Sequence, residues 1–285
     1  MLSSDPLWPR AGDWPSPVND EWGDVALIGM PTSRTSLSPT QAHTTPTAVR
    51  EALRRYAALT DLRIVDVGNV REPDLNEQGA IDAVAGVRAE LVIVLGGDNA
   101  ATVPTALGRW GSNLPKAGLI TLDAHHDLRD GTTNGSPVRR LLEAGLDGRR
   151  VVQIGIEPLA NSRAYAQRAR DAGITVITRE ELLTRPMADV MAQALEIAAA
   201  GGGPIHVDLD IDVCDRAIAP GCPASVPGGI SALELRTAAR LAGAHPSVAS
   251  IDLVEVDAAA DSADERTVRL VALCVLEAIS GVASR

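Results

Sequence analysis

Phenylalanine is absent from the 285 residues, and aromatic residues make up only 2% of the chain. A core must therefore be packed by Ala, Val, Leu and Ile. Apolar residues reach 45%, which predicts a folded chain with a sizeable core rather than a disordered one. Cysteine is also scarce. Cys214, Cys222 and Cys274 form no Cys-x-x-Cys pair and no even framework, which excludes a disulfide scaffold and fits a reduced, cytoplasmic setting. No apolar run approaches the ~20 residues that cross a bilayer, so no membrane partner is expected. The opening residues are polar and proline-rich and lack the basic and apolar segments of a signal peptide. They read as an N-terminal arm over residues 1–22, anchored by Trp8, Trp14 and Trp22, ahead of one catalytic domain over 23–285. There is no Lys/Arg run, and the formal net charge is −11. Such a surface repels phosphate, so nucleic acid is not an expected partner.

What is present is an alternation of short apolar runs with longer amphipathic ones. Strands are expected at 25–30, 62–67, 91–95, 118–123, 151–156, 174–178, 205–211 and 248–254, each rich in Val and Ile and bounded by Gly, Asp or Asn. Helical patterns fall at 46–59, 77–89, 100–109, 136–144, 161–172, 187–199, 231–242 and 265–280, the first with Thr45 as N-cap and Pro46 at the first helical position. This order predicts parallel β-α-β units in a single domain; periodicity leaves a barrel and an open sheet both possible.

Acidic residues collect where strands end: GGDN at 96–99, DAHHD at 123–127, DLDID at 208–212 and DLVEVD at 252–257. On an extended segment Asp123, His125 and Asp127 share one face, and so do Asp208, Asp210 and Asp212. Six such groups at one sheet edge repel unless a cation sits among them. A single Asp-x-Asp reads as a solvated loop; two of them, each after a buried run, point to a metal site. Oxygen donors with one imidazole favour Mn²⁺ over structural Zn²⁺, and shared carboxylates suit two ions about 3.5–4 Å apart.

At these residues the chain resembles the ureohydrolase (arginase/agmatinase) family, through DAHHD, DLDIDVCDRAIAPG and VEVD in that order, from IGMPTSRTS onward. The resemblance implies a three-layer α/β domain with an eight-stranded, mostly parallel open sheet, and a dimanganese hydrolase acting on an amidine or guanidine C–N bond. It implies that Asp123 and Asp210 bridge two Mn²⁺ ions, that Asp127 completes the first site and that His125 and Asp212 complete the second. Glu255 then pairs with the substrate cation, and Asp127 relays a proton. A homo-oligomer, trimer or hexamer, is also implied.

Two positions depart from the family pattern. Asn99 stands where a histidine is usual in GGDH, and a neutral amide oxygen there weakens the first metal site. Asn134, in TNGSP, replaces a histidine that could carry a proton. Arg129 lies two residues past the last ligand aspartate and suits a substrate carboxylate, with Arg34, Arg139 and Ser136 as further groups at the mouth. The competing reading pairs Arg129 with Asp130 on the surface. DAHHDLR, NGSP and the APGCP loop are similar to the formimidoylglutamase branch, which implies cleavage of N-formimidoyl-L-glutamate to L-glutamate and formamide in histidine degradation. The alternatives are agmatinase, arginase or guanidinobutyrase activity, or an impaired member serving as a binding or regulatory subunit. His126 and His206 are expected to pack or hydrogen-bond rather than react.

Overall fold

The Val- and Ile-rich runs pair in parallel, and the amphipathic segments between them supply the crossovers that parallel pairing requires. The computed structural model of the protein describes residues 5–17 and 22–285. The strands are β1 (Gly23–Met30), β2 (Ile64–Asn69), β3 (Ala89–Gly96), β4 (Gly118–Leu122), β5 (Val151–Ile156), β6 (Thr175–Thr178), β7 (Ile205–Asp210) and β8 (Val248–Val254). They form one open sheet in the order β2-β1-β3-β8-β7-β4-β5-β6, with every pair parallel. A barrel is thereby excluded.

Helices cover both faces, as sheets buried on two sides require. On one face lie α1 (Thr45–Leu53), α6 (Arg179–Leu182), α7 (Met187–Ala199), α8 (Ala232–Ala244) and α9 (Arg266–Val282), packed on Val25, Leu27, Ile93, Val207 and Ile251. On the other lie α2 (Glu77–Ala85), α3 (Thr102–Trp110), α4 (Pro137–Ala144) and α5 (Arg163–Asp171), over Ala26, Val92, Leu119 and Val151. No helix of the described residues is long and apolar enough to cross a membrane.

Most expected elements appear within two or three residues of their predicted bounds; α1 stops earlier, at Leu53. The short α6 was not expected, although Thr178 and Glu181 form a reciprocal capping box there. Thr45 is not the cap of α1. It is the first helical residue, and its hydroxyl donates to Val256 O (2.6 Å) and accepts from the Ala258 N–H (3.1 Å). The side chain ties the helix to the loop after β8 rather than to its own first turn.

Within the arm, residues 1–4 and 18–21 lie outside the described residues. Residues 9–15 run beside α1 and β2 through Ala58 N to Pro9 O, Ala11 N to Tyr56 O and Asp66 N to Pro15 O. Trp14 packs on the core, whereas Trp8 and Trp22 are about half exposed, so the anchoring expected of three tryptophans rests on one.

The strand order locates the site. β3, β8, β7 and β4 are adjacent, and the four acidic motifs follow or end these same strands. The chain builds outward to β2 on one side and β6 on the other, then inserts β7 and β8 between the halves. Crevices at the carboxyl ends of strands beside such a switch are where open α/β sheets bind ligands.

Candidate metal centre and active site

Asp123 and Asp127 lie in the loop after β4, Asp210 ends β7, Asp212 follows in a single 3₁₀ turn, and Glu255 directly follows β8. The alternation premise holds for Asp208 and Asp210 on β7 but not for Asp212, past the strand end, and it fails after β4. Residues 123–127 are irregular, and Asp127 has φ +52°, in the left-handed region. The side chains converge through loop geometry. Glu255 is left-handed too, at φ +61°. Such backbones cost of order 1–3 kcal/mol each and persist only where the surroundings hold them. Gly97 O accepts the Glu255 N–H (2.8 Å), and Asp127 O accepts the Arg139 N–H (3.2 Å).

Backbone donors aim the carboxylates. Asp123 Oδ1 accepts the His125 N–H (2.6 Å), Asp210 Oδ1 accepts the Asp212 N–H (2.8 Å) and Asp212 Oδ1 accepts the Ala124 N–H (2.9 Å). Each group thereby keeps its second oxygen for the centre. Asp212 Oδ2 meets His125 Nδ1 at 2.6 Å, and Asp123 Oδ2 is buried with no hydrogen-bond partner. Ligand atoms of Asp123, His125 and Asp212 all lie within 4.8 Å of one another.

Asn99 presents its nitrogen, not its oxygen, to this cluster. Nδ2 donates to Asp127 Oδ2 (2.6 Å) and Asp210 Oδ2 (3.0 Å), while Oδ1 accepts from the Thr102 hydroxyl (2.6 Å). Two carboxylate oxygens turn the amide's positive end toward themselves; presenting the oxygen as a ligand instead takes a half-turn of the same amide about χ2. Asn134 donates through Nδ2 to both oxygens of Glu255 (3.0 Å each), and Glu255 Oε2 also accepts the Asn99 N–H (3.0 Å). Asn134 Oδ1 accepts the Leu37 N–H (3.0 Å), which ties loop 31–41 to the same carboxylate.

The electrostatics are those of a site that favours a cation. Burial, then the neighbouring Asp212, raises Asp123 to about 7. Burial, then like charges, lifts Asp127 and Asp210 well above the usual carboxylate range. Burial with Asp98 and Asp212 nearby raises Glu255 to about 8 against the opposing hydrogen bond from Asn134. Burial works against charge on both His125 and Asp212, but each stabilises the other: His125 is held up at about 12 and Asp212 below its ordinary value. The donor set fits a hard divalent ion, with one imidazole, converging carboxylates and an orphaned buried oxygen on Asp123.

Above this floor opens a cleft of about 400 Å³, lined by His125, Asp127, Arg129, Asn134, Asp210, Asp212 and Glu255. Leu37, Ser38, Asn161, Ser162 and Tyr165 also line it and escaped sequence reasoning; the one available signal was that 157–162 follows a strand end. Three expected mouth residues are elsewhere. Arg34 is exposed, its N–H on Asp74 Oδ2 (3.3 Å), and does not line the cleft. Arg139 is engaged by Arg129 O (2.6 Å), Gly131 O and Glu143 (2.5 Å). The Ser136 hydroxyl is buried and donates to Thr133 O (2.7 Å). Arg129 does reach the cleft. Asp130, its alternative partner, is taken by Arg168 (2.8 Å).

His126 packs as expected, with Nδ1 on Gln153 Oε1 (2.7 Å). His206 is fully buried against Ser250 Oγ (2.8 Å) and Asp252 Oδ2 (3.2 Å). Asp208, beside Asp252 in the sheet register, lies under the metal centre rather than in it.

Residues 23–281 match the model of the Arginase family. The chain belongs to the arginase family. A formimidoylglutamase of Halalkalibacterium halodurans is 33% identical over 276 residues, covering 90% of this chain and 86% of that one. The crystal structure of formimidoylglutamase from Bacillus subtilis superposes with TM-score 0.91 at 27% identity, over 99% of this chain and 94% of that chain. A formiminoglutamase of Trypanosoma cruzi solved with Mn²⁺ shares the arginase-family fold at 24% identity, with TM-score 0.89 and coverage of 98% and 99%.

The raised carboxyl groups set a pH signature for this arginase-family centre. In the unfolded chain Asp and Glu lose their protons near 4, whereas folded Asp123 and Glu255 hold theirs to about 7 and about 8. The native state then binds more protons between about pH 4 and 8, so stability falls as pH rises through that window. The melting temperature of chelator-treated protein should drop from about pH 5.5 to about pH 8. Mn²⁺ at about 100 times its Kd should restore about 2.7 kcal/mol at the upper end of that range. A flat pH profile with no response to Mn²⁺ would remove the cation from this centre.

Proposed function

We propose that the protein is a manganese-dependent hydrolase that cleaves N-formimidoyl-L-glutamate to L-glutamate and formamide. The observation that carries this reading is charge placement. One cleft has Glu255 and the carboxylate cluster on its floor and, at its rim, Arg129, whose neighbouring carboxylate is already paired. A substrate with a cationic amidine at one end and carboxylates at the other matches both. The relatives named formimidoylglutamase support the choice. The reading places the protein in the cytoplasm as a homo-oligomer, with 23–285 as the catalytic domain behind an N-terminal arm.

In this reading Asp123, His125, Asp127, Asp210 and Asp212 hold two Mn²⁺ ions. Bound there, the ions supply Lewis acidity and lower the pKa of water, making a nucleophile available at neutral pH. Glu255, fixed by Asn134 and Asn99, pairs with the amidinium and stabilises positive charge as the carbon becomes tetrahedral. Oxygen is added at the formimidoyl carbon, and the bond to the glutamate nitrogen breaks. Asp127 accepts the water proton at a carboxylate oxygen and returns it to the departing amine, so formamide keeps the original imine nitrogen. Arg129 binds a carboxylate of the glutamate portion.

Turnover of Mn²⁺-loaded protein on N-formimidoyl-L-glutamate, agmatine, arginine and 4-guanidinobutyrate, with formamide and urea both measured, should yield formamide from the first alone. Urea as the only product would replace this substrate with a guanidine. Arg129→Ala should raise KM about tenfold or more, the loss of one charge-assisted contact; an unchanged KM would return the arginine to the surface. Asp127→Asn should lower kcat by about 10²–10⁴, and near-wild-type rates would remove Asp127 from proton transfer. Asn99→His should retain more Mn²⁺ through dialysis than wild type. Equal metal content would show that Asn99 does not limit affinity.

A further inference from the structure

An arginine on an exposed loop samples many rotamers, and ordering it for one bound carboxylate costs entropy. Arg129 is exposed, yet its backbone and stem are held. Its backbone N–H donates to Gly135 O (3.0 Å), and its stem crosses the open side of Gly135. A Cβ built on Gly135 would lie 2.7 Å from Arg129 Cδ and 3.2 Å from Nε. Gly135 is not among the positive-φ glycines, so its backbone does not demand glycine; a side chain there would have to displace the Arg129 stem. The second wall is Tyr165, with Arg129 Cζ 6.0 Å from its ring centroid. The same ring has Arg168 Cζ at 5.5 Å. Arg168 donates to Leu128 O (2.8 Å) and to both oxygens of Asp130 (2.8 and 3.2 Å). The residues flanking Arg129 in sequence are therefore stitched to α5, the helix that carries the tyrosine.

We infer that Gly135 and Tyr165 are positioning residues that seat Arg129 at the mouth of the cleft and so set its preference for a substrate carrying a carboxylate beyond the amidine. Glycine at 135 leaves the space, and the ring at 165 supplies a face that favours a guanidinium. The inference rests on the substrate reading above and adds the means by which a flexible side chain becomes selective.

The test uses full-length, Mn²⁺-loaded protein and the variants Gly135→Ala, Tyr165→Ala and Tyr165→Phe. KM for N-formimidoyl-L-glutamate should rise about tenfold in Gly135→Ala and Tyr165→Ala, with a smaller change in kcat, a shift equivalent to about 1.4 kcal/mol. Tyr165→Phe keeps the ring and should restore a KM within about twofold of wild type. Mn²⁺ affinity by titration calorimetry should be the same in all four proteins. An unchanged KM in both alanine variants of a protein that cleaves the substrate overturns the seat and leaves the substrate reading standing. Parallel losses of KM, kcat and Mn²⁺ affinity also overturn it, since they mark general damage to the loop. Failure of the wild-type protein to cleave N-formimidoyl-L-glutamate overturns both.

Discussion

Mutual repulsion among buried carboxylates is the constraint on which the rest of this structure depends. Asp123, Asp127, Asp210, Asp212 and Glu255 are each at most 6% exposed, and all lie at the carboxyl edge of three adjacent strands, β8, β7 and β4. Left to themselves they would take up protons or push apart. The chain supplies partial compensation from its own parts: backbone N–H groups on four of the carboxylates, His125 against Asp212, and the amide nitrogen of Asn99 between Asp127 and Asp210. None of these delivers a full divalent charge at the point where the free oxygens meet. The arrangement therefore favours a cation at that point.

The same repulsion accounts for the two asparagines. Each stands where the sequence resemblance implies an imidazole, and each is a donor that positions acids. Asn99 works through both its backbone and its side chain, and Asn134 grips Glu255 while holding loop 31–41 over the cleft. Beneath them, His206, Asp208 and Asp210 share one face of β7, so the polar row continues into the core where Asp252 and Ser250 meet His206. The other face of the strand, Ile205, Val207 and Leu209, is apolar and packs into the core.

Charge is also sorted along the cleft. A protein of net charge −11 concentrates its acids on the floor and leaves one guanidinium at the rim free of its sequence neighbour. Sequence reasoning assigned Arg34 and Arg139 the same task because both lie near the motifs. Contacts decide otherwise: Arg139 is held by Arg129 O, Gly131 O and Glu143, while Arg34 faces outward. Nearness in sequence to a ligand motif does not tell where a long, flexible side chain will point. The contribution of Tyr165 was equally hidden, since it lies far beyond Arg129 in sequence, on a helix whose pattern is that of ordinary surface.

The amino-acid sequence by itself determined the element order, the parallel pairing and the gathering of acidic residues at strand ends. Hydrophobic periodicity and the placement of Asp at strand ends are local properties, and four acidic motifs after four buried runs call for positive charge to offset their own. Only the tertiary structure decided that the sheet is open, that β8 and β7 lie between β3 and β4, and that the left-handed turns at Asp127 and Glu255 bring their carboxylates inward. It also decided which way the Asn99 amide faces and which arginine remains available. Those outcomes depend on competition between partners far apart in the chain, where burial and pairing energies are settled group against group and no local pattern records the winner.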